Sequence, residues 1–151
     1  MKKVILVLAA VLCFGALAGA QPKALGIRFG WGVDLSYEHY AGNDFLEFEL
    51  GLDGYNDAFH VDGIYNFIIA EPDWTAGSWE FYGGPGVSVA VWNHNDANNV
   101  YAGILGNLGL GYTFNIPLQL SLDIRPRIML GDGRIWDDGV FSFGLGVRYA
   151  F

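Results

Sequence analysis

The chain has 151 residues, eight Lys and Arg against sixteen Asp and Glu, and a formal net charge of −8. That balance argues against a nucleic-acid partner, because holding a phosphate backbone takes clustered basic residues. Glycine and aromatic content are high and a single cysteine is present, which fits neither a mixed-charge soluble surface nor a disulfide scaffold.

Met1-Lys2-Lys3, the apolar run Val4 to Leu17 and the small residues Ala18-Gly19-Ala20 have the three parts of a secretory signal peptide, expected over residues 1–20. The apolar run is shorter than the ~20 residues of a membrane-spanning helix. Cys13 lies inside it, so the remaining domain, residues 21–151, carries no thiol. Its bases are Lys23, Arg28, Arg125, Arg127, Arg134 and Arg148.

From Leu25 the sequence alternates: Leu25, Ile27, Phe29, Trp31, Val33, Leu35 and Tyr37 on one face, Gly26, Arg28, Gly30, Gly32, Asp34, Ser36 and Glu38 on the other. Period two is the signature of a strand. Ala41-Gly42-Asn43-Asp44 has turn composition. Leu46, Phe48, Leu50 and Leu52 then alternate with Glu47, Glu49, Gly51 and Asp53. After a turn at residues 53–57, Phe59, Val61, Tyr65, Phe67 and Ile69 oppose His60, Asp62 and Asn66. Glu71 to Gly77 breaks the pattern and predicts a loop. Trp79, Phe81, Val87, Val89 and Val91 resume it, Asn93 to Asn99 predicts a polar loop, and Ala102 to Phe114 predicts the next strand. Asn115-Ile116-Pro117 turns into the most regular run, where Leu118, Leu120, Leu122, Ile124, Pro126, Ile128 and Leu130 oppose Gln119, Ser121, Asp123, Arg125 and Arg127. A loop from Gly131 to Asp138 leads to a last strand over Val140 to Phe151.

These are seven runs, whereas single-chain bacterial outer-membrane barrels have an even number of strands. Gly30-Trp31-Gly32 supplies a tight hairpin that splits the first run in two. The fold expected is all-β: an eight-stranded antiparallel up-and-down transmembrane β-barrel, its leucines and aromatics toward lipid and its charges toward the lumen. The turns at Ala41, Glu71 and Asn115 then fall on the periplasmic side.

The terminal residues Leu145-Gly146-Val147-Arg148-Tyr149-Ala150-Phe151 resemble the carboxy-terminal assembly signal of outer-membrane barrels. Ile116 to Pro126 is similar to a recurrent stretch of small outer-membrane barrels of OmpX-type and OmpW-type architecture. The resemblance implies an outer-membrane location in a Gram-negative-type cell. It also implies recognition of Leu145, Val147, Tyr149 and Phe151 by the barrel-assembly machinery, with outer-membrane lipids as the surrounding partner.

Arg28, Arg125, Arg127 and Arg148 share the polar faces with Asp34, Glu47, Glu49, His60, Asp62, Glu80 and Asp123. Eight strands leave an interior just wide enough for side chains. These groups are therefore expected to pair and fill the lumen, since an isolated buried charge is costly; a selectivity ring is the alternative. Tyr37, Tyr40, Phe67, Trp79, Phe81, Tyr112, Phe114, Tyr149 and Phe151 are the expected aromatic girdle at the periplasmic boundary. Trp92 and Trp136 are expected interface anchors. His60, Asp62 and Asn66, with Ser36 or Ser88, lack a spacing specific to catalysis. His94, Asp96, Asp132, Asp137 and Asp138 lack a recognised calcium-loop spacing. The expectation is a structural or surface-interaction protein without enzymatic activity, metal or cofactor. A conduit for small hydrophobic molecules, hinted at by Ile64, Ile68, Leu105 and Met129, and a lipid-modifying enzyme are the alternatives.

Overall fold

Alternation of branched, aromatic and leucine residues with small and polar ones suits a pleated chain, whose side chains leave on opposite faces at each step. The computed structural model describes residues 22–53, 58–94, 97–131, 134–136 and 141–151. The strands are β1 Lys23–Phe29, β2 Gly32–Ala41, β3 Asp44–Asp53, β4 Ala58–Ala70, β5 Ser78–His94, β6 Ala97–Thr113, β7 Leu118–Gly131, β8 Arg134–Trp136 and β9 Phe141–Ala150. The expected signal segment lies outside the described residues.

Each of β1 to β6 pairs antiparallel with the next, β1 pairs with β9, and β6 with β7. One edge of β7 carries both β9, along Leu118–Pro126, and the short β8, along Met129–Gly131. β8 and β9 thus occupy one position in the wall, and the sheet closes as an eight-stranded barrel. Closure leaves no long edge exposed to foreign pairing. Lys23 and Phe151 exchange backbone hydrogen bonds of 2.8 and 2.7 Å at one end, here termed the base. The β2–β3, β4–β5 and β6–β7 connections share that end; the others lie at the opposite rim.

The split at Gly30-Trp31 is present: Phe29 pairs with Val33, and the Trp31 indole N–H donates to the Phe141 carbonyl at 3.0 Å. At the base, Gly42 takes φ +73° between the paired residues Ala41 and Asp44, a left-handed position that glycine occupies without Cβ strain. Two loop predictions are corrected. Within the expected loop Gly131 to Asp138, Arg134–Trp136 form β8 and fold back antiparallel on the end of β7. Residues 93–99 are largely strand, with Asn93↔Asn98 and His94↔Ala97 paired. The reason is that pairing is a backbone property: beyond the apolar zone a solvated hairpin needs no hydrophobic alternation.

The two faces segregate. Arg28, Asp34, Glu38, Glu47, Glu49, Asp62, Asp123, Arg125 and Arg148 are buried in the interior, whereas Leu52, Val87, Ile104, Leu122 and Phe143 are each more than 60% exposed on the outer wall. Such a surface inverts the arrangement of a water-soluble domain.

Inner-face glycines make room for large neighbours. Gly109 lies beneath the Tyr82 ring, Gly144 beneath the Arg28 guanidinium, and Gly51 beneath His60 and Asp34, so that a Cβ at any of the three would overlap those groups. Backbone approaches backbone at Gly84, where a Cβ would collide with the Tyr65 carbonyl oxygen. Outer-face Gly63 is open, its nearest neighbours being side-chain carbons of Phe48 and Val87 at 4.0 Å. Gly84→Ala is therefore expected to lower stability by about 1–3 kcal/mol through overpacking, with Gly63→Ala close to neutral. Urea titration of the two variants folded in detergent micelles measures the difference, and equal midpoints would contradict this packing.

Candidate functional site

Alternating inward positions on neighbouring strands bring the charged side chains together along the barrel interior. Arg148 on β9 lies 3.1 Å from Glu38 and donates to Glu47 at 2.6 Å, to Ser36 at 2.9 Å and to Ser121 at 2.6 Å. Arg125 on β7 lies 2.9 Å from Glu47 and 3.4 Å from Asp123, and is also ion-paired with Glu49. Arg28 on β1 reaches Asp123 at 2.5 Å and Asp34 at 3.1 Å. The His60 Nε2 is 3.3 Å from Asp34 and 3.7 Å from Asp62, which Arg127 contacts at 2.5 Å.

These contacts form one file in which acidic and basic side chains alternate: Glu38, Arg148, Glu47, Arg125, Asp123, Arg28, Asp34, His60, Asp62, Arg127. Glu47 and Asp123 each bridge two guanidiniums, and Asp34 and Asp62 flank the imidazole. Removing charges from water is costly, and close opposite partners with hydrogen bonds offset that cost.

An amide branch joins the file. Arg125 Nε donates to Asn107 at 3.1 Å, Asn107 to Asn66 at 2.8 Å, and Asn66 to Glu47 at 3.2 Å, which closes a ring of four side chains from β7, β6, β4 and β3. The ring sits where the wall ladder is interrupted. Pairing of β6 with β7 skips from Leu105↔Arg127 to Leu108↔Ile124 beside Pro126, and pairing of β4 with β5 skips from Ile64↔Gly86 to Phe67↔Gly83 beside Pro85. Proline has no amide hydrogen to give a neighbour, and across the β6–β7 interruption the Arg125–Asn107 hydrogen bond joins the two strands from inside.

Toward the base the interior turns aromatic. Phe45 stacks on Tyr40 at 5.0 Å and meets Tyr82 edge-on at 5.0 Å. The Tyr40 hydroxyl donates to Glu80 at 2.8 Å and accepts from Gln119 at 3.1 Å. Tyr40 was expected in the outer girdle, and its placement is a correction: it lies two positions from Glu38 on one strand, and the pleat gives both the inner face. Among the charges the inner face also carries an apolar patch, with Ile64, Leu105 and Met129 buried against Gly86 and Gly103. Ile68 is half-buried.

The structure brings together the four arginines with Asp34, Glu47, Glu49, His60, Asp62 and Asp123, and places Glu80 apart, against Tyr40. It adds Glu38, which sequence reasoning put on the inner face and left out of the network. Tyr37, Phe67, Trp79, Phe81, Tyr112, Phe114, Tyr149 and Phe151 lie on the outer wall toward the base, and Leu145, Val147, Tyr149 and Phe151 on the outer face of β9 and its end. Trp92 has the inward parity of Ser88 and Ala90 and meets Tyr101 edge-on at 5.1 Å, which corrects its reading as an outward anchor. Asp96, Asp132, Asp137 and Asp138 fall outside the described residues, and nothing is described of the side chains of His94, Arg134 and Trp136. Ser88 donates to Asp62 at 2.5 Å and Ser36 to Glu47 at 3.0 Å, so each serine is engaged by a carboxylate.

No protein-family model and no curated protein sequence matches the chain. Among solved structures it is similar to the N-terminal β-barrel domain of Pseudomonas aeruginosa OprF, with a TM-score of 0.58 and 17% sequence identity, over 87% of this chain and 96% of that one. The likeness is one of fold: a small closed antiparallel barrel.

Loss of a charge shared by several partners should cost more than loss of one at the end of the file. Arg125→Met leaves Glu47, Glu49 and Asp123 short of a cation and is expected to cost about 3–5 kcal/mol. Arg127→Met removes a single, part-exposed contact and is expected to cost less than half as much. Parallel urea titrations decide it, and equal losses would show that the file is not a connected unit.

Proposed function

We propose that this protein is a small integral outer-membrane barrel with a structural or surface-interaction role and a lumen plugged by paired charges. The observation that carries the reading is the inversion of its faces, with arginines and carboxylates inside and exposed leucines, isoleucines and phenylalanines outside. Water would not tolerate that outer wall, and acyl chains require it. Likeness in fold to the barrel of OprF, an outer-membrane protein, supports the same placement. So do the terminal Leu145, Val147, Tyr149 and Phe151, on which the proposed kinship with OmpX-type and OmpW-type barrels and delivery by the assembly machinery rest. The presumption of export through residues 1–20 belongs to the same reading.

The interior favours a plug over its alternatives. A hydrophobic conduit needs open space beside Ile64, Leu105 and Met129, and these side chains are packed against glycines of neighbouring strands. A lipid-modifying enzyme needs a serine activated by His60, whereas Ser36 and Ser88 bind carboxylates and the nearest carboxylate to His60 Nε2 is Asp34.

Leu122 is 61% exposed on the outer wall. If lipid covers it, Leu122→Arg is expected to destabilise the vesicle-folded barrel by about 2–4 kcal/mol near the bilayer midplane. A water-exposed site would register a change within about 0.5 kcal/mol. Folded fraction across a denaturant series in phosphatidylcholine vesicles separates the two outcomes. The plug is tested in planar bilayers, where the inserted barrel is expected to give no stepwise conductance; reproducible open-pore steps would remove the plug and leave the membrane placement intact.

A further inference from the structure

Resting on that membrane placement, we propose that the β4–β5 connection and the aromatic ladder beside it form a docking surface for zwitterionic phospholipid with an ammonium headgroup, at the base of the barrel. The connection, residues 71–77, packs along the outside of the wall. Trp74 packs against Trp79 at 5.3 Å, Trp79 against Tyr112 at 4.6 Å, and Tyr112 against Phe114 at 4.6 Å. Trp79 and Tyr112 are direct cross-strand partners, so the ladder runs around the wall from the loop across β5 and β6. Gly77 fits against the Tyr112 phenol, where a Cβ would overlap the ring.

The polar atoms of the ladder are tied to one another. The Trp79 indole N–H donates to Thr75 Oγ1 at 2.9 Å, and Thr75 donates to the Tyr112 hydroxyl at 3.4 Å. The Trp79 and Tyr112 rings are thereby oriented from within the chain, while Trp74 remains 64% exposed, as Ile69 and Ile116 at the same end of the barrel also are exposed. This surface is continuous with the lipid-facing wall, and amphipathic aromatics favour the headgroup level of a bilayer.

Charge selects the headgroup. Glu71 and Asp73 precede Trp74 in the same connection and are exposed, and residues 29–124 contain no Lys or Arg. An anionic headgroup meets like charge there. An ammonium meets carboxylates and the faces of tryptophan rings, a pairing that is favourable electrostatically.

The test uses the chain folded into phosphatidylcholine vesicles containing brominated-chain phosphatidylethanolamine or, at equal fraction, brominated-chain phosphatidylglycerol. The emission difference between the parent and Trp74→Phe isolates the Trp74 signal. Enrichment of the ethanolamine lipid over the glycerol lipid around Trp74 is expected to be about two- to fivefold, the size of an exposed cation–π contact. The Glu71→Gln, Asp73→Asn double variant keeps the rings and is expected to bring the ratio near one. Equal quenching by both lipids in the parent overturns the headgroup selection. A Val87→Trp probe on the outer wall separates the remaining outcomes. If it is quenched and Trp74 is not, the loop faces water or another protein and this proposal fails alone. If neither is quenched, the barrel is not in the bilayer and the placement itself fails.

Discussion

The fold depends on the file of alternating acidic and basic side chains that runs from Glu38 to Arg127 through the barrel. It draws on β1, β2, β3, β4, β7 and β9, so it is a constraint on register more than a sum of pairs. A slip of one residue in any of these strands turns its charged positions outward and its leucines inward. Shifting β9 alone would take Arg148 away from Glu38 and Glu47 together, leaving two buried carboxylates underpartnered. Buried ion pairs are weak evidence of net stability, but a shared network penalises the wrong arrangement severely. The file therefore specifies one closed barrel among the ways these strands might pair.

Space for that file comes from what the sequence omits. A narrow barrel has no room for a side chain at every inward position, and this chain answers by setting large residues over small ones. Arg28 lies over Gly144, Tyr82 over Gly109, and His60 with Asp34 over Gly51. Without Gly51 the imidazole and the Asp34 carboxylate would be kept apart and the file would break before Asp62. The prolines fit the same logic. Pro126 lies where the β6–β7 ladder is interrupted, and there the ring of Arg125, Asn107, Asn66 and Glu47 joins β6 to β7, and both to β4 and β3, from the interior. Polar contents and wall are thus one mechanical object.

Much of this was legible in the sequence because a strand's parity is a rigid rule. The inward set of β7, from Gln119 through Arg125, followed from spacing alone, and the hairpin at Gly30-Trp31-Gly32 from the even strand count of such barrels together with its two glycines. Misreadings arose where residue type was allowed to outvote parity. Tyr40 was assigned outward for being aromatic, although it shares a face with Ser36 and Glu38, and Trp92 likewise shares a face with Ser88 and Ala90. Phe45 has the parity of Glu47, and its apolar ring hid its place beneath Tyr40 and Tyr82. The partner choices within the file were not legible. Which arginine meets which carboxylate depends on strand stagger across the closed barrel, a quantity that no local pattern encodes.

With the lumen plugged as proposed, specificity falls to the surfaces. Five strand-end residues of β6, Ala97 to Tyr101, extend past its first pairing with β7 at Ala102↔Leu130, and Asn93 and His94 extend past the last β4–β5 pair at Ala58↔Trp92. The β5–β6 hairpin consequently rises above its neighbours as a two-stranded ribbon, amide-rich in sequence, opposite the end that bears the Trp74 ladder. An isolated ribbon of two strands gains little from packing, so its persistence beyond the wall rests on the long paired hairpin that continues below it. The same two strands carry Trp79 and Tyr112 at the base and the pairs Asn93↔Asn98 and His94↔Ala97 at the other end.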